Sequence, residues 1–201
     1  AGAGADFIKV QSFLASEVHD GDPEKEWFAQ VQLPDAMHAE LKQLAEAHGA
    51  AFLSAPFSLN RARFLCEELG LRAIKLASSE LLNFPLLDYV AQHAETVFLS
   101  TGLATLDEVA EALRHLERVP TVYVLHCVAV YPASDEDANL RAIQTLQQRF
   151  PHRPAGYSDH TLGIAASVVA VGLGARVIEK HFTLDKQLPG TDHVLSVTPR
   201  E

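Results

Sequence analysis

Along this chain, short apolar runs alternate with longer stretches in which apolar residues recur every three or four positions. Seven short runs, β-branched or apolar, have the length of strands: 6–13 (DFIKVQSF), 50–56, 71–78, 95–101, 121–127, 154–160 and 176–183. Between them lie amphipathic segments such as DAMHAELKQLAEAHG (35–49), SLNRARFLCEELG (58–70) and TLDEVAEALRHLE (105–117), the pattern of helices covering a sheet. Gly49 and Gly70 stand where such helices need a left-handed C-terminal residue. Most strands begin about 21–25 residues after the last, and strand–helix–strand at that period predicts a parallel sheet. The strands are nearly continuous in apolar residues, so both faces should be covered. The small apolar run IAASVVAVGLGA (164–175) predicts a buried helix.

Two architectures fit: an open doubly wound sheet or a (β/α)8 TIM barrel. No Gly-x-Gly-x-x-Gly follows the first strand, which counts against a dinucleotide-binding sheet. Almost every strand ends polar: Lys9 and Gln11, Ser54, Lys75 with Ser78 and Glu80, Ser100 and Thr101, His126, Ser158 to His160, and His181 with Thr183. Strand C-termini are where a barrel collects its chemistry. The expectation is one barrel domain over residues 1–201 with seven of its eight strands. The first residues read as the end of a helix, so upstream sequence is expected. The unpaired edges, near residues 13 and 176, predict a homodimer or higher oligomer.

Composition narrows the partners. The chain is 48% hydrophobic and carries a formal net charge of −10. That excess of acid argues against nucleic acid or an anionic membrane, both of which need a basic face. No apolar run reaches the roughly 18–20 residues of a membrane span, and the first residues lack a secretory pattern. Two cysteines, Cys66 and Cys127, make neither a disulfide framework nor a metal-type spacing. A cytoplasmic location is the expectation.

Two constellations stand out. His160 and His181 end consecutive strands, close enough in a barrel to share a divalent cation; the alternative is a hydrogen-bonded pair without metal. Lys9 and Lys75, with the hydroxyls of Ser78, Ser100 and Ser158, form a set suited to phosphate or carboxylate. The alternative there is ion pairing of Lys75 with Glu80 or Glu179. Glu80, Asp159, Glu179 and Asp192 could act as acids and bases or orient the histidines. His126 and Cys127 are strand neighbours and so point to opposite faces, which favours a structural cysteine over a nucleophilic pair.

The motifs IKVQSF, IKLASSE, LSTGLATLDEV, HCVAVYPASDEDANLRAI, GYSDHTLG and VIEKHFTLDKQLPGTDH, in this order, resemble the sialic acid synthase family. The resemblance implies a TIM barrel lacking its first strand, and with it a catalytic Glu, and lacking the family's C-terminal antifreeze-like domain. It implies metal-dependent condensation of phosphoenolpyruvate with an N-acylated amino sugar, N-acetylmannosamine first, to give a nonulosonic acid and phosphate by C–O cleavage. Synthases for pseudaminic, legionaminic or spore-coat sugars are the alternatives, as is an impaired metal- and phosphate-binding remnant. By the same resemblance, His160 and His181 are metal ligands for Mn2+, with Mg2+ or Co2+ as substitutes. Lys9, Lys75, Ser78, Ser100 and Ser158 hold phosphoenolpyruvate. Gln11, Glu80, Tyr131 and Asp192 line the sugar site, the last three as catalytic candidates. The chain departs from the pattern at Ala55, Ser58 and Ala129, where the family often has Thr, Asp, and Asn or Ser. Each lost polar contact is worth about 0.5–1.5 kcal/mol.

Overall fold

The computed structural model describes residues 2–201 and contains the seven expected strands, six of them somewhat shorter than their predicted runs and one, 121–127, of the same length. They are β1 (Phe7–Ser12), β2 (Ala51–Pro56), β3 (Ala73–Leu76), β4 (Thr96–Ser100), β5 (Thr121–Cys127), β6 (Ala155–Asp159) and β7 (Ile178–Lys180). All pairings are parallel. β1 pairs with β2, and β3 through β7 pair in chain order. β2 lies beside β3, so the two sheets form one curled wall. Among the described residues β1 pairs only with β2 and β7 only with β6, leaving two open edges.

The helices α1 (Lys25–Val31), α2 (Asp35–Ala47), α3 (Leu59–Arg63), α4 (Phe84–His93), α5 (Leu106–His115), α6 (Ala142–Arg149) and α7 (Ala165–Gly172) fill the connections. Local sequence explains their ends. Ser58 accepts from the Arg61 amide at 3.1 Å and caps α3, so this departure from the family pattern keeps a structural use. Thr105 and Glu108 form a reciprocal capping box on α5. Gly49 and Gly70 take φ of 77° and 66°, as the C-terminal positions demanded. After α3 the chain runs on as a π-helical turn, Phe64–Glu68.

Residue alternation divides the interior in two. Ile74, Leu76, Val97, Leu99, Val122 and Val124 face the helices and form the main core with Leu86, Leu87 and Val109. On the other face, Leu53, Phe98 and Leu125 make a smaller apolar layer about the barrel axis. Above it, toward the strand C-termini, the axis turns polar. Two expectations change here. The edge strands are only partly buried, since neither has a second neighbour. The helix α7 is not buried all round: Ala166 and Ala170 face the sheet, while Val168, Val169 and Val171 are more than half exposed. A helix that is apolar on every side gives no sequence signal for which side is covered.

Candidate functional site

The polar layer sits where consecutive inward positions reach the top of the wall. On β1 and β3 these are Lys9 and Lys75, on β4 Ser100, on β5 Cys127, on β6 Ser158, and on β7 Glu179 followed by His181. The curl brings side chains from opposite open edges into contact. Lys9 Nζ lies 3.4 Å from Glu179 Oε2, and Lys75 Nζ lies 3.5 Å from Oε1. Ser158 Oγ donates to Glu179 Oε1 at 2.7 Å. Burial alone would raise the Glu179 carboxyl, but Lys75, Lys9 and the Ser158 hydroxyl outweigh it and hold it at about 2. Burial also pushes the Lys75 ammonium down, against the pull of Glu179. Of the two pairings open to Lys75, the structure therefore realises the one with Glu179.

The remaining members of the anion set, Ser78 and Ser100, stand at the C-terminal ends of β3 and β4. Ser78 Oγ accepts from the Gly102 amide at 3.0 Å, which ties the β3–α4 turn to the β4–α5 turn. A Cβ on Gly102 would stand 2.9 Å from that oxygen, so a larger residue there would displace the Ser78 hydroxyl. Ser100 Oγ is buried and has no hydrogen-bond partner. A buried, unsatisfied hydroxyl at the C-terminal end of β4 suits a ligand oxygen. The thiol of Cys127 is raised by burial and stays protonated, 3.9 Å from His160 Nδ1. His126 points the other way, to the Ala138 carbonyl at 2.7 Å, as strand alternation required.

His160 and His181 do meet, with ring centroids 5.4 Å apart. His160 Nδ1 donates to the Val128 carbonyl at 2.7 Å, and His181 Nδ1 lies 3.4 Å from Asp192 Oδ2. The Val128 bond fixes the His160 ring in the tautomer that leaves Nε2 with a lone pair, and the Asp192 carboxylate favours the same tautomer at His181. Burial pushes both imidazoles down, His181 to about 4, so they are neutral near pH 7. Neutral, oriented imidazoles are the form a divalent cation requires. No third His, Cys, Asp or Glu completes a three-ligand cluster among the described residues, so further ligands would be water or substrate oxygens. Tyr131 lies over His160, centroids 4.0 Å apart, and meets His181 edge-on at 5.8 Å.

Not every expected residue converges. Glu80 accepts from Ser79 at 3.1 Å and Asn83 at 2.8 Å, and its carboxylate is satisfied within its own turn. Gln11 is exposed and makes no side-chain hydrogen bond among the described residues. Asp159 does not orient a histidine directly. It faces the helices and accepts from the Thr161 amide and hydroxyl at 2.8 Å and from Ser167 at 2.6 Å, with Lys180 at 3.2 Å. Burial would raise its carboxyl, but these donors hold it below its ordinary value. Asp159 therefore clamps β6 to α7 and sets the backbone that carries His160. Alternation could have shown this, since Ser158 points inward. The same parity, counted from His181, places Glu179 inward.

A model of the NeuB family matches residues 1–201. The chain is 40% identical to an N,N'-diacetyllegionaminic acid synthase of Campylobacter jejuni, covering 100% of this chain and 65% of that protein. It is 38% identical to the human N-acetylneuraminate-9-phosphate synthase over 82% of this chain and 46% of that one. The crystal structure of a sialic acid synthetase from Leptospira borgpetersenii, in complex with citrate, superposes with a TM-score of 0.93. Its identity is 34%, covering 99% of this chain and 70% of that one. Against the curated relatives matched over nearly the whole chain, this sequence spans 58–65% of their length.

Proposed function

Because this chain belongs to the NeuB family, we propose that it carries the phosphoenolpyruvate and metal half of a nonulosonic acid synthase. The reaction joins C3 of phosphoenolpyruvate to the aldehyde carbon of an N-acylated amino sugar. Water adds at C2, and phosphate leaves with the bridging oxygen. The observation that carries this reading is the convergence of Lys9, Lys75 and Ser158 from three separate strands beside two neutral, Nε2-free imidazoles.

In this reading the lysines hold the phosphate and carboxylate of phosphoenolpyruvate, with Ser78, Ser100 and Ser158 as hydroxyl donors. Tyr131 covers one face of the histidine pair and limits water there. Asp192, 3.4 Å from His181 Nδ1, favours the ring tautomer whose Nε2 carries the lone pair. A divalent cation at His160 and His181, Mn2+ first, would supply Lewis acidity toward a carbonyl oxygen. N-acetylmannosamine is the leading acceptor. Similarity across the whole chain to a diacetyllegionaminic acid synthase favours, as second reading, a hexose bearing two acetamido groups.

The test has two parts. Calorimetry on this chain should detect phosphoenolpyruvate binding that Lys75→Met abolishes while the fold is retained. The protein at its full natural length should release phosphate from phosphoenolpyruvate only when an amino-sugar aldehyde and Mn2+ are present. Folded protein that binds no phosphoenolpyruvate at millimolar concentration, or full-length protein inert toward both acceptor types, overturns the reading.

A further inference from the structure

The two lysines of the site already have a carboxylate between them, and it belongs to the protein. We propose that Glu179 is an internal competitor for the anion site, occupying in the free protein the position between Lys9, Lys75 and Ser158 that an anionic group of the ligand takes. The inference rests on reading this site as the binder of a phosphorylated carboxylate.

The contacts are those an incoming anion would make. Ser158 gives Glu179 a full-strength bond at 2.7 Å. The lysine contacts, at 3.4 and 3.5 Å, are ion pairs longer than the roughly 2.7–2.9 Å of a charge-assisted hydrogen bond. Both ammoniums therefore keep N–H donors unspent; the one hydrogen bond Lys75 makes is to its neighbour's carbonyl, Leu76, at 3.2 Å. Ser100 adds a buried hydroxyl with no partner. Two ammoniums against one carboxylate leave one positive charge, so the cluster is partly but not fully neutralised.

A phosphate dianion entering this space meets the Glu179 charge within a few ångströms. At an effective dielectric near 20, such repulsion weakens binding by at least about tenfold. Glu179 can yield. It lies on β7, a three-residue strand paired on one side, and its side chain is 17% exposed. A monocarboxylate would replace Glu179 without gaining charge. A ligand carrying both phosphate and carboxylate brings more oxygens and more charge than it displaces. The competitor thus favours polyanions over simple acids.

Calorimetric titration of inorganic phosphate and of phosphoenolpyruvate, without divalent cation, tests this on the parent chain, Glu179→Gln and Glu179→Asp. Glu179→Gln should bind both anions about tenfold more tightly than the parent. Glu179→Asp, whose carboxylate is drawn back by one methylene, should fall between them, and it decides alone if the glutamine variant does not fold. Variants that bind no more tightly than a parent that does bind overturn the competitor and leave the anion site standing. No binding by any of the three proteins overturns both.

Discussion

Gly156 offers a stringent test of the geometry that positions the site. It lies on β6, two residues before Ser158, with its hydrogen facing the barrel axis. A Cβ built there would stand 2.4 Å from Leu125 Cδ2, 2.7 Å from the Val177 carbonyl oxygen and 3.1 Å from Val177 Cβ. The leucine methyl can rotate, but the carbonyl cannot retreat freely, because it accepts the Tyr157 amide at 2.8 Å. Gly156→Ala must therefore push β7 away from β6 or strain the ladder. Overpacking of this kind costs about 1–3 kcal/mol, offset by about 0.4–1 kcal/mol from the stiffer unfolded chain. The expected net loss is about 1 kcal/mol, or about 2–4 °C in Tm for a chain of this length. Thermal unfolding followed by far-ultraviolet circular dichroism measures it. Gly172→Ala is the control, since it lies in α7 with nothing within 4 Å of a Cβ, and it should gain up to about 1 kcal/mol. A Gly156→Ala protein melting at or above the parent would refute the packing of β6 on β7, and with it the placement of Ser158 beside Glu179.

Three further outcomes are expected. Ser100→Ala should leave stability unchanged or slightly raised, because the hydroxyl is buried unpaired, while phosphate affinity falls about two- to tenfold. Equal phosphate affinity in calorimetry would remove Ser100 from the anion set. Asp159→Ala should cost about 3–5 kcal/mol in urea denaturation, since it strands Lys180 and the donors of Thr161 and Ser167. A loss below about 1 kcal/mol would show that the clamp is not formed. His160→Ala and His181→Ala should each abolish Mn2+ binding measured by the electron paramagnetic resonance of the free ion, and binding retained in both would contradict the ligand assignment.

The sequence by itself determined the layers of this protein. The period of strands and helices dictated a parallel sheet, and alternation along each strand dictated which residues share a face. Lys9, Lys75, Ser158 and His181 were legible as strand-end groups because chemistry collects where inward positions run out of apolar layer. Alternation also separated Cys127 from His126, and it contained the inward placement of Glu179 and the outward placement of Asp159. Distances across the barrel were beyond it. Only the curl of the wall decided that Lys9 on one open edge meets Glu179 on the other, since these residues are far apart in the chain and linked by no local rule. Only the tertiary structure turned Glu80 back into its own turn, through Ser79 and Asn83, and left the outer valines of α7 uncovered. The physical reason is common to all of these. Periodicity specifies a direction relative to the local backbone, whereas a binding site depends on where several backbones stand relative to one another, which is settled by closure and packing.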